Sequence, residues 1–355
     1  MSSEESFCGA TLQNVRTYFF NLQGTCNIDI PICIISVIIN MFNILVFTRR
    51  NMTSPVNLIF THLAFANLSE LLASASLTWI DCAYYRTMMT LEGWTYTQAF
   101  FALRSIELAS IFNNIGVYII LMLAIWKYIV VFHPSKESQW CNMKTTRNSL
   151  VVGYIICILF EIPGYLSHYI EIVHPEEKIY IYRVETVSIM YSVSQMVLYE
   201  LLPSLVLPVL GVRLIASLWS EKNHSTPSSN VENRTDSVKM NQKTNRSIII
   251  SMIIVAQCLS FVIPAGLLDL ARHTVLANDY YSIHHECFAS FQVILNLLEI
   301  VNKSIKFIVY YAMDQDFRVT FKSLFNKNHA SVWKLKYVPL SSTRGNDESL
   351  EIGRF

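Results

Sequence analysis

Seven stretches of this chain are each long and apolar enough to cross a lipid bilayer, and that constrains its fold more than any other feature. They cover roughly residues 28–48, 56–80, 98–131, 149–170, 187–219, 246–272 and 288–312. A spanning helix needs about 20 predominantly apolar residues. One such stretch can be the core helix of a soluble protein, but 355 residues offer no interior large enough for seven. Composition agrees, with 52% hydrophobic residues and only 15% charged ones, against about 25% charged in an average soluble domain. In lipid every backbone N–H and C=O must be paired inside the chain, so stretches of this length become helices. The expected fold is an all-α membrane protein, a seven-transmembrane-helix bundle over residues 28–312. The third and fifth stretches are long enough to protrude beyond the bilayer.

So apolar a chain is not a disordered one. Eight cysteines in this length are too sparse for a disulfide scaffold. A net charge of +1 provides no basic field for nucleic acid. Residues 1–27 carry no apolar h-region, so they read as an extracellular N-terminal segment, with the first span acting as signal anchor. No repeat of 20–50 residues is visible, nor any inverted similarity between half-chains of the transporter kind.

Lysine and arginine set the orientation. With the N-terminus outside, five of these residues fall on the outer side, nineteen on the inner side and three within spans. This places the C-terminus in the cytoplasm, in a multi-pass plasma-membrane topology. The polar segment 220–245 becomes a cytoplasmic loop between the fifth and sixth spans. All six Asn-x-Ser/Thr sites, including Asn223 and Asn233, are then cytoplasmic or buried and escape glycosylation. After the seventh span, Phe317, Phe321, Leu324 and Phe325 share one helical face, with Arg318 and Lys322 on the polar side. This predicts an amphipathic membrane-surface helix over 314–325, followed by a cytoplasmic tail over 326–355.

Enzyme motifs are absent: there is no HExxH, GxxxxGK, GxSxG or CxxC string. The run His284-His285-Glu286-Cys287 has poor zinc-ligand spacing and reads as a polar outer loop, so no metal or other cofactor is expected. Cys8, Cys26, Cys82 and Cys287 face the outside in this topology, where disulfides persist. They allow three pairings if both bridges form, or they remain thiols.

The third span ends LAIWKYIVVFHP, from Leu123 to Pro134. The first inner turn reads NILVFTRRNMTSPVNLI, the fifth span carries ELLPSLVLPVLGVRLI with Pro203, and the sixth carries FVIPAGLLDL with Pro264. The seventh runs on as VNKSIKFIVYYAMDQDFRVTF. Over about residues 28–325 this resembles the rhodopsin-like G-protein-coupled receptors. It is most similar to the invertebrate FMRFamide/myosuppressin-type neuropeptide receptors, with serpentine class w chemoreceptors sharing much of the pattern. The resemblance implies an extracellular peptide ligand, a heterotrimeric G protein as inner partner, and arrestin and a receptor kinase as further partners. It assigns Trp126, Lys127, Tyr128, Pro264 and Tyr310 to activation and G-protein coupling. Several positions depart from the family. Asn67 stands where the second span usually has Asp, Lys127 replaces the third-span Arg, and Trp126 replaces the acid before it. Lys306 replaces the Asn of the seventh-span NPxxY motif. Ala102 replaces the Cys at the top of the third span, and the loop 168–190 has no Cys, so the family's usual disulfide cannot form.

Ionisable residues inside spans are costly and mark function by default. Toward the outer side lie Glu107, Glu200 and Asp269, with Arg104 and Glu161. This acidic rim suits a cationic ligand, such as a peptide with an arginine near its C-terminus; the plainer reading is carboxylates that keep loops soluble. Deeper, Glu299, Lys303 and Lys306 share one helical face, and Glu70 follows Asn67 by one turn. Glu299 is expected to hold Lys303 and Glu70 to neutralise Lys306, as a structural cluster rather than a proton or ion path. Lys127 either contacts the G protein or merely snorkels to the interface. A receptor for an environmental chemical, a transporter or channel using the buried cluster, and a signalling-dead receptor are the competing functions.

Overall fold

The computed structural model of the protein describes residues 22–87, 94–174, 179–184, 194–224, 245–260, 263–264 and 281–325. The main helices are α1 (Leu22–Phe47), α2 (Pro55–Thr87), α3 (Tyr96–Phe132) and a short α4 (Pro134–Trp140). They continue with α5 (Met143–Ser167), α6 (Leu202–His224), α7 (Asn245–Ser260), α8 (Tyr281–Met313) and α9 (Gln315–Phe325). Helical segments Ile28–Phe47, Pro55–Ile80, Tyr96–Phe132, Met143–Ser167 and Met196–Ser217 are each long and apolar enough to span a membrane, matching the first five expected stretches. The sixth is represented by the 16-residue apolar α7. The seventh is α8, whose three buried or half-buried charges dilute its apolar character.

Local sequence chemistry sets the helix ends. Thr95 and Gln98 form a capping box at the start of α3, the Thr95 hydroxyl accepting from the Gln98 amide and the Gln98 side chain from the Thr95 amide. Helix α3 has 37 residues, about 55 Å at 1.5 Å per residue, so it outruns a 30 Å hydrocarbon core. It stops at His133 because Pro134 opens the next helix at a first-turn position, where a missing N–H costs nothing. Asn142 caps α5 by accepting from the Thr145 amide at 2.9 Å. Before α6 the chain makes one π-helical turn, Met196–Leu201. Pro203 follows two residues later, and with no N–H to donate it releases the carbonyl four residues back.

Helix α3 is the central shaft, packed against α2, α5 and α6, while α1 lies between α2 and α8. Exposed apolar side chains cover the outside of the bundle. On α5, Val152, Ile155, Ile156 and Leu159 face outward, and Leu150, Gly153 and Cys157 face inward. This arrangement fits a lipid solvent. The apolar core sits at the end where α8 meets α9, around Phe47, Phe60, Leu123, Ile254, Tyr310 and Phe317. Helix α9 folds back onto α1 and α8, with Phe317 fully buried and Phe321 packed edge-on against Phe42 at 5.6 Å. Asp314 turns the chain there, its side chain accepting from the amides of Asp316 and Phe317.

Two local expectations are corrected. The segment after α5 is a two-stranded antiparallel hairpin, β1 (His168–His174) with β2 (Ile179–Val184), joined to the start of α3 by a backbone bridge between Trp94 and Tyr180. Its alternating Tyr and Ile residues favour an extended, half-buried ribbon, so the fourth expected span ends in a strand. The His284–Cys287 run is part of the first turns of α8 rather than a loop.

Candidate functional site

Three polar layers run along the bundle. At the hairpin end, Glu107 of α3 is buried and bound on both carboxylate oxygens. Arg104 donates to Oε2 at 2.6 Å, and His168 Nδ1 lies 3.2 Å from Oε1. The Arg104 guanidinium lies over the Tyr165 ring at 4.3 Å, which fixes it between an aromatic face and the carboxylate. One step deeper, Glu161 of α5 accepts from the Asn114 side chain on α3. The acidic rim is therefore an internally paired layer in which a carboxylate is already matched by a cation. Of the other two expected anchors, the Glu200 side chain and Asp269 lie outside the described residues.

The second layer is central. The Lys303 ammonium on α8 bonds to Glu70 on α2, and also to Glu299 one turn away on its own helix at 3.2 Å. Glu70 is buried, whereas the Glu299 side chain is 36% exposed. Ser36 and Ser304 bond at 2.5 Å, and Asn40 donates to the Lys303 carbonyl at 3.4 Å, tying α1 to α8 beside the pair. The cluster is thus formed, but its pairing corrects the expected one: Glu70 answers Lys303, not Lys306. Helices α2 and α8 run antiparallel, so Glu70 is level with Lys303, and Lys306 lies one turn further toward α9. Lys306 is 4% exposed and has no carboxylate within ion-pair distance among the described residues. Asn67, also 4% exposed, has a side-chain NH₂ without a hydrogen-bond partner.

The third layer lies at the α9 end. Lys127 is 5% exposed and points into the bundle, where it donates to the Ser247 hydroxyl on α7 at 2.6 Å. It does not snorkel. Trp126 donates from its indole to Thr146 on α5 at 3.1 Å. Tyr128 faces away from that bond, packed on Phe132 with ring centres 4.7 Å apart. Tyr310 is buried between Phe47, Phe60 and Phe317 at 4.9–5.6 Å. Pro264 is exposed on a two-residue described stretch beyond α7.

Sequence reasoning missed Ser247, Thr146, His168 and Ser36. Each is a small or weakly marked polar residue whose role depends on which helix stands opposite. Cys82 is disulfide-bonded, and Cys33, Cys141, Cys157 and Cys258 are free thiols. The side chains of Cys8, Cys26 and Cys287 lie outside the described residues. Burial pushes the Cys141 thiol, between α4 and α5, above its ordinary pKa. Among the described residues no group of His, Cys, Asp and Glu is placed to hold a metal ion.

An apolar-surfaced helical bundle with paired charges inside it is a multi-pass membrane protein. The family model for serpentine type 7TM GPCR chemoreceptors, Srw, matches residues 27–328. The chain belongs to that family and is a G-protein-coupled receptor rather than an enzyme. It is 23% identical to the sex peptide receptor of Drosophila melanogaster over 90% of this chain and 76% of that receptor. It is 20% identical to the FMRFamide receptor of the same fly over 90% of this chain and 56% of that receptor. The sex peptide receptor-related protein 2 of Caenorhabditis elegans is 23% identical over 87% of this chain and 73% of its own length.

Proposed function

We propose that this protein is a plasma-membrane receptor for an extracellular neuropeptide of the FMRFamide-like class, and that it transmits binding to a heterotrimeric G protein. The observation that carries this reading is the similarity, over about nine-tenths of the chain, to receptors named for a sex peptide and for FMRFamide. The N-terminus and the hairpin face outside, and the α9 end faces the cytoplasm. The peptide binds at the hairpin end, near Glu107, Glu200 and Asp269. An arginine of the ligand reaches Glu107 by displacing Arg104, one guanidinium for another, which frees α3 from its neighbour. The response at the other end is a shift of α7 about Pro264 that breaks the Lys127–Ser247 bond and opens a face lined by Trp126, Lys127, Tyr128 and Tyr310. Arrestin and a receptor kinase act on the same inner face, the kinase on Ser and Thr residues of the 220–245 segment.

The test is a screen of cells expressing the receptor against amidated peptides, with cAMP and Ca²⁺ read together. A dose-dependent response to an arginine-containing amidated peptide is expected. Responses only to small volatile or water-borne chemicals would instead support a chemosensory ligand, the reading favoured by the family's chemoreceptor description.

A further inference from the structure

The hairpin has one open strand edge, and the bonds on its other side fix which backbone groups line that edge. On β2, Tyr180 donates to the Trp94 carbonyl at 2.8 Å and accepts from the Trp94 amide at 2.9 Å. The N–H and C=O of Tyr180 therefore point away from β1. Tyr180 stands opposite Ile172, and Tyr182 stands opposite Ile170. Bonded and non-bonded pairs alternate along an antiparallel ladder. Tyr169 and Glu171 are thus the β1 residues that bond β2, while Ile170 and Ile172 turn their N–H and C=O to the outer edge. Among the described residues nothing pairs with those two groups there. Strand β1 has no proline or lysine to blunt the edge.

This edge leads to Glu107. His168, at the start of β1, contacts the Glu107 carboxylate. Tyr180, opposite Ile172, packs on Tyr96, the first residue of α3, with ring centres 5.5 Å apart. From Tyr96 to Glu107 α3 descends about 16 Å, and from Ile172 to His168 β1 covers about 13 Å. The two elements therefore run side by side from the rim of the bundle down to the carboxylate. Apart from its histidines, the one ionisable side chain of β1 that is charged at neutral pH is Glu171, an acid.

We infer that the β1 edge at Ile170 and Ile172 is a binding site for an extended cationic peptide, which adds to the hairpin as a third, antiparallel strand. The inference rests on the proposed peptide ligand and deepens it. Backbone hydrogen bonds hold the body of the ligand, and its arginine near the C-terminus arrives at Glu107. The added strand is antiparallel because β1 runs outward from Glu107 while the ligand's C-terminal end points inward. Ile170 and Ile172 each exchange two hydrogen bonds with one ligand residue, and those two ligand residues are two apart. The N–H of the residue between them points away from the receptor.

The probe is a library of amidated octapeptides with arginine fixed at the seventh position and the others randomised. It is applied to cells expressing the full chain, with cAMP and Ca²⁺ read together. Sublibraries carry one N-methylated residue at each position from the second to the sixth. N-methylation removes a donor and places a methyl in the ladder. Potency should fall at least about tenfold at alternate positions and stay within about threefold at the positions between them. On the receptor, Ile172→Pro removes an outward N–H without touching a bond to β2, and should lower potency about tenfold at unchanged surface expression. Ile172→Ala keeps that N–H and should leave potency unaltered. If the proline variant does not reach the surface, the N-methyl scan decides the matter. An active parent library with no alternation in the scan overturns the inference and leaves the peptide ligand standing. A parent library without any response removes the peptide ligand and this site with it. Receptor dimers that Ile172→Pro abolishes at unaltered peptide potency would assign the edge to a second copy of the chain, and equally overturn the inference.

Discussion

Replacing Glu70 by Gln should destabilise the receptor through Lys303. In the structure Glu70 is buried and bonds Lys303 across α2 and α8, while the second carboxylate on that ammonium, Glu299, is over a third exposed. Breaking a buried pair by removing one partner typically costs about 3–5 kcal/mol. Glu299 stays in place after the change, so the low end, about 3 kcal/mol, is expected. At roughly 2–4 °C per kcal/mol this lowers the unfolding midpoint by roughly 6–12 °C. The assay is thermal unfolding of purified receptor at a fixed scan rate, with the double variant Glu70→Gln/Lys303→Met beside each single one. Removing the orphaned ammonium should restore much of the loss, with a coupling of about 1–3 kcal/mol. Glu70→Gln/Lys306→Asn should couple much more weakly, because Lys306 is not bonded to Glu70. Simple additivity of Glu70→Gln and Lys303→Met would refute the central pair, and stronger coupling to Lys306 would refute the register of α2 against α8.

Other expectations follow from single contacts. A Cβ on Gly153 would overlap the Tyr118 ring, which is held by its hydroxyl on the Ser149 carbonyl at 3.0 Å. Gly153→Ala should therefore cost about 1–3 kcal/mol, and Tyr118→Ala in the same molecule should relieve part of it; no relief in thermal unfolding removes this contact as the cause. Ser247→Ala removes the hydroxyl that accepts from the Lys127 ammonium across α3 and α7, and should raise ligand-independent G-protein activation, measured by nucleotide exchange; unchanged basal exchange rejects the bond as a resting-state tie. Glu107→Gln should weaken peptide potency at least about tenfold at unchanged surface expression, and unchanged potency excludes an arginine exchange at that site. Enzymatic deglycosylation should leave gel mobility unaltered, whereas a shift that depends on Asn223 and Asn233 inverts the proposed orientation.

The spans were legible in the sequence because bilayer thickness imposes a length that few other environments demand. The charges on α8 were legible too, since Glu299, Lys303 and Lys306 at helical spacing cannot all face lipid. Their partners were not. Whether Glu70 meets Lys303 or Lys306 depends on a one-turn offset between two helices separated by more than 200 residues, and no local pattern encodes that offset. The hairpin after Ser167 was missed for a different reason. Its residues Tyr169, Ile170 and Ile172 continue the apolar run of α5, and apolarity does not distinguish a helix end from a ribbon. Glu107 lies one turn from Arg104 on α3, a pairing that helical spacing allows, but its contact with His168 requires the hairpin end to meet α3.

The departures from the family pattern compensate one another physically. An Asp at position 67 would suit a cation; Asn67 provides only dipoles, and Lys306 makes the same level positive. The receptor's interior thereby moves its paired carboxylate one turn toward the hairpin end, to Glu70, and leaves Lys306 one turn nearer α9. Trp126 in place of an acid has a similar effect at the α9 end. With no carboxylate beside it in the third span, the buried Lys127 ties to a hydroxyl on α7 instead. A hydroxyl tie to a charged group is weaker than a buried ion pair, so less differential binding of ligand or G protein is needed to release α7 from α3. The central layer is the opposite case, since its ion pair joins helices α2 and α8 that a ligand has no need to separate. The strong bond therefore sits where the bundle must hold, and the weaker one where the proposed movement requires it to open.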